Sequence, residues 1–313
     1  QTGITDGYLM ETIILDTDFE TDCDDAGALC VLHALARRGN AAIAGVIASV
    51  HSPWPAAGVR ALNLRLGRPD IPVGCNFDYP DSGRYRQHRE RMPDRLYHRA
   101  MAEAVPEALP DRFRPEEGVA LYRRLLEQAE DGSVTICAIG LLTLLAELLR
   151  QPGGRELVAR KVKLLVSMAN GVRPEGRPGF NWEMAPEAAA FVTAEWPTPI
   201  LVSPIGGDVL TGAELARRVA ADNLELLAYR KFGGGTPGFR RSSWDQLAVL
   251  AAADVLERSG FAARSEPGRI VFDPAGCSHR WTEPHGAPHW CLSLTRSPDE
   301  SAAFVESFMA EVW

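Results

Sequence analysis

Ten consecutive residues near the start of the chain hold an unusual density of acidic side chains. Between Asp16 and Asp25 stand five aspartates and one glutamate, directly after the apolar run Thr12–Leu15. Carboxylates this close together repel one another and raise each other's pKa unless a cation compensates them. Hard divalent cations that prefer oxygen ligands, Ca²⁺ or Mg²⁺, fit this donor set. An N-cap at Asp22 or Asp24 is the structural alternative, but a cap accounts for one carboxylate and not for five.

The rest of the chain alternates short apolar runs with helical patterns, which predicts the frame that positions the acidic segment. The predicted strands are 12–15, 42–50, 71–73, 134–139, 162–168 and 200–203. The predicted helices are 26–36, 56–66, 116–128, 142–150, 186–194, 212–220, 244–256 and 302–312. Residues 269–272 and 290–294 are predicted to pair as terminal strands. This order indicates an α/β fold with a mainly parallel, Rossmann-like central sheet and helices on both faces, where ligands bind beyond the carboxyl ends of the strands.

Composition and charge exclude several classes of protein. The 313 residues are 46% hydrophobic and 24% charged, enough for a large core. The net charge of -8 and the lack of a basic stripe argue against a nucleic-acid partner. No run of 18 apolar residues occurs, so no membrane partner is expected. The six cysteines form no CxxC pair, so we expect reduced thiols in a cytoplasmic protein rather than disulfides or a zinc site.

Residues 10–313 are predicted to form one α/β domain. Residues 1–9 are polar and lack the apolar region of a signal peptide, so we expect an added or disordered segment, or a remnant of signal cleavage. Residues 76–115 lack clean periodicity and are predicted to be a long excursion with short helices. Long irregular segments of this kind are typical of functional flaps or partner surfaces.

Two classes of metal-dependent enzyme carry paired aspartates at the end of a strand. Aspartyl-phosphate phosphatases have DxDx[TV], but here the fifth position is Glu20 and Thr21 comes one residue late. Nucleoside hydrolases have DTDPGxDDA, and this chain has DTD at 16–18 and DDA at 24–26, with two more residues between them. The segment therefore resembles that of a divergent nucleoside hydrolase.

Further motifs extend the resemblance over roughly residues 11–255, in the order of the inosine-uridine preferring nucleoside hydrolase family. The sequence GRPDIPV at 67–73 matches a recurrent segment, and GLLTLLA at 140–146 resembles GPLTNLA. MANG at 168–171 resembles the MGG segment, GFN at 179–181 with PEAA at 186–189 resembles EFN…DPEAA, and SWD at 243–245 stands where the family has a metal-binding Asp. The resemblance implies an α/β nucleoside hydrolase fold.

The resemblance also implies roles for individual residues. Asp18 would be the general base on a metal-bound water and a Ca²⁺ ligand, with Asp25, Asp245 and the Thr143 carbonyl as further ligands. Asp24, Asn170 and Asn181 would bind the sugar hydroxyls. His51 lies near the position of a sugar-contacting Asn of the family, and Trp244 would also face the substrate. Asp16 would support the site without contacting the substrate.

Each of these residues has a simpler reading. Asn181 and the dipeptide Asn170-Gly171 suit turns. Thr143 could cap a helix, Asp245 could be an acid of a first helical turn, and His51 could be a surface loop residue.

Several positions depart from the family pattern. Gly179 replaces the Glu of EFN, Leu144 replaces the Asn of LTN, and Trp244 replaces the leaving-group histidine. The aromatic residues Trp54, Tyr79, Tyr85, Tyr97 and Trp182 are candidates for stacking on the aglycone. The basic stretch from Arg84 to Arg91 is either a solvated face or, if it folds over the pocket, a contact for a phosphorylated or carboxylated substrate.

The predicted function is Ca²⁺-dependent hydrolysis of the N-glycosidic bond of a ribonucleoside-like small molecule. The alternative is a catalytically altered Ca²⁺-binding protein that binds a sugar-like ligand or hydrolyses a non-standard glycoside. The resemblance implies a homodimer or homotetramer. An aspartyl-phosphate phosphatase is the remaining reading.

Overall fold

The computed structural model describes residues 10–169 and 175–313. The described strands are β1 (Glu11–Thr17), β2 (Ala41–Ala48), β3 (Val73–Cys75), β4 (Glu116–Glu117), β5 (Val134–Ala138), β6 (Val162–Met168), β7 (Glu175–Gly176), β8 (Ile200–Ser203), β9 (Leu210–Thr211), β10 (Arg241–Ser242), β11 (Ala262–Arg264), β12 (Arg269–Asp273), β13 (Ser278–Thr282) and β14 (His289–Leu294).

The described α-helices are α1 (Asp24–Arg37), α2 (Pro53–Arg65), α3 (Gly83–Glu90), α4 (His98–Glu103), α5 (Gly118–Gln128), α6 (Thr143–Arg150), α7 (Gly154–Lys161), α8 (Phe180–Met184), α9 (Pro186–Glu195), α10 (Leu215–Arg218), α11 (Leu224–Phe232), α12 (Trp244–Ala252), α13 (Val255–Arg258) and α14 (Pro298–Met309). Short 3₁₀ helices cover Pro106–Ala108 and Ala310–Val312. Within these described segments, no helix has both the length and the apolar character that a membrane span requires.

Nine strands form the central sheet in the order β11-β14-β8-β6-β5-β1-β2-β3-β4. All neighbouring pairs in it are parallel except β11 with β14. From β1 the chain first builds outwards through β2, β3 and β4, and then returns to the other side of β1 with β5 and β6. The direction of strand addition therefore reverses beside β1, which is where sheets of this kind bind ligands.

The two faces of the sheet pack into separate cores, as the alternation of β1 shows. Ile13 and Leu15 belong to the core that holds α1, α2, α12 and α14, whereas Ile14 belongs to the core of α5, α6, α7 and α9. Successive side chains of a strand point to opposite faces of the sheet. Asp16 therefore lies on the same face as Ile14, and Thr17 lies on the same face as Leu15. Helices on both faces of a mainly parallel sheet confirm the predicted fold class.

Some predicted elements are wrong. The strands β12 and β14 do not form a ladder: β12 pairs with β13 in a separate small sheet, and β14 joins the central sheet beside β8, with a single bridge between Gly268 and His289. The predicted helix 244–256 is interrupted at Asp254, whose φ of 57° is left-handed and breaks the helical hydrogen bonding. The predicted helix 212–220 is reduced to α10. The helices α7 and α11 were not anticipated.

Candidate active site

A cavity opens at the carboxyl end of β1, beside the point where strand addition reverses. Its volume is about 340 Å³. The segment after β5 packs closely against the start of this site: a Cβ on Gly140 would lie 2.5 Å from the Asp18 backbone nitrogen, so this position needs glycine. The cavity is lined by Asp18, Thr21, Asp22, Asp24, Asp25, His88, Met92, Arg95, Ile139, Met168, Phe180, Asn181, Phe232, Phe239, Arg241, Trp244 and Asp245.

Three of these acids form a carboxylate cluster, Asp24, Asp25 and Asp245. Asp24 and Asp25 stand in the first turn of α1, and Asp245 stands in the first turn of α12, which packs against α1. Their ligand atoms lie within 4.8 Å of one another, and all three side chains are buried. The backbone N–H of Asp245 donates to Asp24 Oδ2 at 3.4 Å, which ties the two helix starts together.

The electrostatics of the carboxylate cluster favour a cation. Burial, and then repulsion between the carboxylates, raises the pKa of Asp25 and of Asp245 well above the ordinary range. Asp25 Oδ1 accepts hydrogen bonds from the Thr17 hydroxyl and, at 3.2 Å, from the Phe19 N–H. Its Oδ2 and the Oδ1 of Asp245 receive none from the described residues. Buried, unpaired carboxylate oxygens that converge in this way fit a hard divalent cation.

Asp18 lines the same cavity but is not part of the carboxylate cluster. Its Oδ2 accepts hydrogen bonds from the Thr21 hydroxyl at 3.2 Å and the Tyr85 hydroxyl at 3.3 Å. Burial raises the pKa of Asp18 to about 6, and these two donors hold it below what burial alone would give. The next residue, Phe19, has a left-handed φ of 43°, so the chain turns sharply between Asp18 and the helix that carries Asp25.

Asp16 lies on the opposite face of β1. Its Oδ2 accepts a hydrogen bond from the Tyr122 hydroxyl at 2.7 Å, and it does not line the cavity. Burial raises its pKa to about 7. Asp16 shares the strand face of Ile14, which packs against the core of α5, whereas Asp25 belongs to α1 on the other face. Asp18 lies beyond the end of β1, where the chain turns at Phe19.

The remaining predicted site residues fall into two groups. Asn181 and Trp244 line the cavity, and the Asn181 side-chain N–H donates to the Ile139 carbonyl at 2.6 Å. Thr143 begins α6 without lining the cavity, and His51 is exposed, also outside the lining. Asn170 lies outside the described residues.

None of the five aromatic residues considered for stacking on the aglycone lines the cavity. Trp182 is buried against Phe272, with its indole N–H on Ser167, and Trp54 packs beneath the Arg99 guanidinium. Tyr85 reaches the site through its hydroxyl, on Asp18, rather than as a stacking ring. The aromatic side chains that line the cavity are Phe180, Phe232, Phe239 and Trp244.

Helix α3, within the irregular segment 76–115, packs beside Asp18. Arg89 of this helix forms ion pairs with Glu20 and Asp81, and the Glu20 carboxylate is buried. In the cavity lining, Asp22 holds Arg241 through two hydrogen bonds from Nε, at 2.9 and 3.0 Å, and one from Nη2. The region between the DTD and DDA motifs therefore supplies Glu20 and Asp22 as anchors for the cavity walls.

Comparison with known proteins identifies the family to which this chain belongs. The model of the family described as inosine-uridine preferring nucleoside hydrolase matches residues 13–277. The chain belongs to this family. Among curated proteins, no sequence match was found.

Solved structures of nucleoside hydrolases share the fold. The plant nucleoside hydrolase PpNRh1 is 20% identical, with a TM-score of 0.68 over 97% of this chain and 99% of its own. An inosine-guanosine nucleoside hydrolase is 17% identical, with a TM-score of 0.66 over 96% and 98% of the two chains. The type III effector XopQ, in a structure described as complexed with adenosine diphosphate ribose, is 16% identical, with a TM-score of 0.71 over 97% and 94%.

As a member of the nucleoside hydrolase family, the chain has a buried cluster of three acids that resembles a calcium site of this family. Sequence reasoning pointed to all three residues of the carboxylate cluster and to Asp18. It missed Thr21, His88, Met92, Arg95, Phe232, Phe239 and Arg241 as lining residues. The Asn223 cap, which accepts a hydrogen bond from the Leu226 N–H at 2.9 Å, was a readable signal for α11 and hence for Phe232.

Proposed function

We propose that this nucleoside hydrolase family member catalyses the Ca²⁺-dependent hydrolysis of the N-glycosidic bond of a ribonucleoside-like substrate, with residues 10–313 acting as one domain. The observation that carries the proposal is the buried carboxylate cluster with unpaired oxygens, which shares one cavity with the hydrogen-bonded carboxylate of Asp18. When bound there, Ca²⁺ would supply the positive charge that fixes sugar hydroxyls and acidifies water.

Asp25 and Asp245 are the proposed ligands, because each has a buried oxygen that receives no hydrogen bond from the residues that the structure describes. Asp24 and Asn181 are proposed to hold sugar hydroxyls. The Asn181 side-chain N–H is engaged by Ile139, so its amide oxygen is the atom left to accept from a hydroxyl. The ligand roles of Asp18 and Thr143 and the substrate contacts of Asn170, His51 and Trp244 stay predictions.

Asp18 is the proposed general base. Thr21 and Tyr85 hold its carboxylate in one orientation, and a pKa of about 6, raised by burial, leaves it ionised at neutral pH but basic enough to take a proton from the attacking water. The surrounding carboxylates also favour the positive charge that develops on the sugar ring as the glycosidic bond breaks. Asp16, hydrogen-bonded to Tyr122 on the other face, is proposed to support β1 at this end.

The second candidate is a Ca²⁺-dependent binding protein without turnover. The observation that favours it is Trp244, which lines the cavity where the family resemblance implies a leaving-group histidine. His88 also lines the cavity, but burial and the nearby Arg91 lower its pKa, so it is a neutral hydrogen-bonding group at pH 7 rather than a strong acid.

The test is reducing-sugar release from a panel of purine and pyrimidine nucleosides, with Ca²⁺ or a chelator, on the wild type and Asp18→Asn. Since a structural relative is described with adenosine diphosphate ribose, the panel includes ribosyl compounds other than free nucleosides. Asp18→Asn keeps the size of the side chain and one oxygen but loses the base, so we expect chelator-sensitive release to fall by about 10²–10⁴-fold.

Calorimetric titration of Ca²⁺ into both proteins separates loss of the base from loss of the metal. Release by Asp18→Asn at the wild-type rate contradicts the mechanism. Ligand binding without any release by the wild type favours the second candidate.

A further inference from the structure

Two arginines from distant parts of the chain converge on one aromatic ring of the cavity wall. The guanidinium carbon of Arg95 lies 5.9 Å from the centroid of the Phe232 ring, and that of Arg241 lies 5.2 Å from the same centroid. Arg241 also lies 5.0 Å from the Trp244 ring. Both line the cavity, and we name them the arginine pair. Stacking on an aromatic face holds a guanidinium in place while leaving its N–H groups at the edge for a ligand.

The arginine pair is only partly neutralised by the protein. Asp22 engages Nε and Nη2 of Arg241, which leaves the Nη1 donors of this guanidinium. Arg95 is exposed, and among the described residues no carboxylate forms an ion pair with it. Of the other titratable groups in the lining, Asp22 is paired with Arg241, and His88 is neutral at pH 7 because burial lowers its pKa. The positive charge of Arg95 therefore remains available to a ligand.

The lining of the cavity consequently carries charge of both signs. The carboxylate cluster and Asp18 supply the negative charge and the arginine pair the positive charge, and Arg241 lies close enough to Asp24 to oppose the burial that raises the pKa of that carboxyl. A ligand that satisfies both must present neutral hydroxyls towards the acids and an anion towards the arginines. The volume of about 340 Å³ is in the range of small-molecule sites and admits a ligand with two such parts.

We propose that the arginine pair is a phosphate subsite, and that the substrate is a phosphate ester of a ribosyl compound rather than an unmodified nucleoside. This proposal rests on the proposed function for the ribosyl part. Phosphate suits two guanidinium groups better than a carboxylate does, since it carries up to two negative charges and offers three oxygens to donors from separate directions.

The test compares matched pairs of ligands that differ only by phosphate: inosine with inosine 5′-monophosphate, and ribose with ribose 5-phosphate. Their affinities are measured by calorimetry in the presence of Ca²⁺ for the wild type and three variants. Arg95→Gln removes the arginine that lacks an ion pair. Arg241→Lys keeps a charge for Asp22 but loses the planar donor set. Arg99→Gln is the control, because Arg99 is close in sequence, 61% exposed and outside the cavity lining.

We expect the phosphorylated member of each pair to bind the wild type at least about tenfold more tightly, the size of one charge-assisted hydrogen bond. Arg95→Gln and Arg241→Lys should remove most of this advantage and leave the affinity for the unphosphorylated member unchanged, while Arg99→Gln keeps the full advantage. Equal affinity of both members for the wild type overturns the proposal. So does an advantage that survives both arginine substitutions, because the phosphate then sits on the metal.

Release of reducing sugar, measured separately on the same ligands, distinguishes this subsite from the proposed activity. Turnover of inosine with no phosphate advantage contradicts the subsite and supports the hydrolase. An arginine-dependent phosphate advantage without any turnover supports the subsite and contradicts the hydrolase.

Discussion

The cavity has two sides, one formed by long buried helices and the other by a short helix within an irregular segment. On one side, Asp25 and Asp245 stand in the first turns of α1 and α12, two buried helices that pack against each other on one face of the sheet. On the other side, Tyr85 and His88 belong to α3, a helix of eight residues inside the irregular segment 76–115. Both sides meet at Asp18, which lies directly after β1.

The difference teaches which part of the site follows from the fold and which part has been added to it. The carboxylate cluster needs only that two helices start at the same place. The α3 side depends on individual long-range contacts, such as the hydrogen bond from Tyr85 to Asp18 and the ion pair between Arg89 and Glu20. We therefore expect substitutions on the two sides to have different consequences: loss of the cation on one side, and a misdirected base on the other.

The largest effect is expected from Asp25→Asn. The amide keeps the size of the side chain but removes a charge from the carboxylate cluster, so Ca²⁺ affinity should fall by about 100-fold or more, and hydrolysis with it. Without Ca²⁺ the variant should be at least as stable as the wild type, because it no longer buries that carboxylate. Calorimetric Ca²⁺ titration and thermal unfolding with a chelator check the two expectations.

The control for this prediction is Asp70→Asn, which removes an exposed aspartate that is paired with Arg68 away from the cavity. It should leave Ca²⁺ binding unchanged. If Asp25→Asn binds Ca²⁺ with wild-type affinity, the metal binds elsewhere. The carboxylate cluster would then not differ from the α3 side by binding the cation.

An intermediate effect is expected from Tyr85→Phe. Burial and the nearby Asp18 carboxylate raise the pKa of Tyr85 well above its ordinary value, so it remains a hydrogen-bond donor. Its removal should lower kcat by about tenfold, the size of one hydrogen bond to a charged group, and leave Ca²⁺ affinity intact. The pKa of Asp18 should rise, since this bond favours the ionised form, so activity should be lost at a higher pH as the solution is acidified.

The measurement is a pH profile of kcat/KM for Tyr85→Phe beside Tyr79→Phe. The Tyr79 hydroxyl accepts a hydrogen bond from the Gln151 side-chain N–H at 3.4 Å and does not line the cavity, so the same chemical change there should leave the pH profile unchanged. If the acidic side of the pH profile is the same in Tyr85→Phe as in the wild type, Tyr85 does not set the pKa of the base. The role of α3 would then be structural.

The smallest effect is expected from His51→Ala. The family resemblance implies a sugar contact near this position, but the side chain is exposed and outside the cavity lining, and its backbone N–H is held by Asp81. KM and kcat should change by less than about twofold, as for an ordinary surface substitution. Steady-state kinetics on the best substrate of the panel decide; a tenfold rise in KM would show that His51 reaches the ligand.

The sequence predicted the regular elements because their signals are local. The apolar runs that became β1, β5, β6 and β8 and the helical spacing of α1 are readable from neighbouring residues. The predicted pairing of β12 was wrong, because an apolar run indicates a strand but not the strand it pairs with. Residues Trp290–Leu294 pair with β8 in the central sheet, and residues Arg269–Phe272 pair with β13.

For the site, the sequence alone determined the acids, because a dense run of carboxylates after a strand requires compensation wherever the chain goes. Tertiary structure decided how they are used. Packing of α1 against α12 joined Asp245 to Asp24 and Asp25, and the alternation of β1 turned Asp16 away to Tyr122. The cavity walls, from Tyr85 to Arg241, were decided only by the fold, since contacts across 67 and 219 residues leave no periodic trace in the sequence.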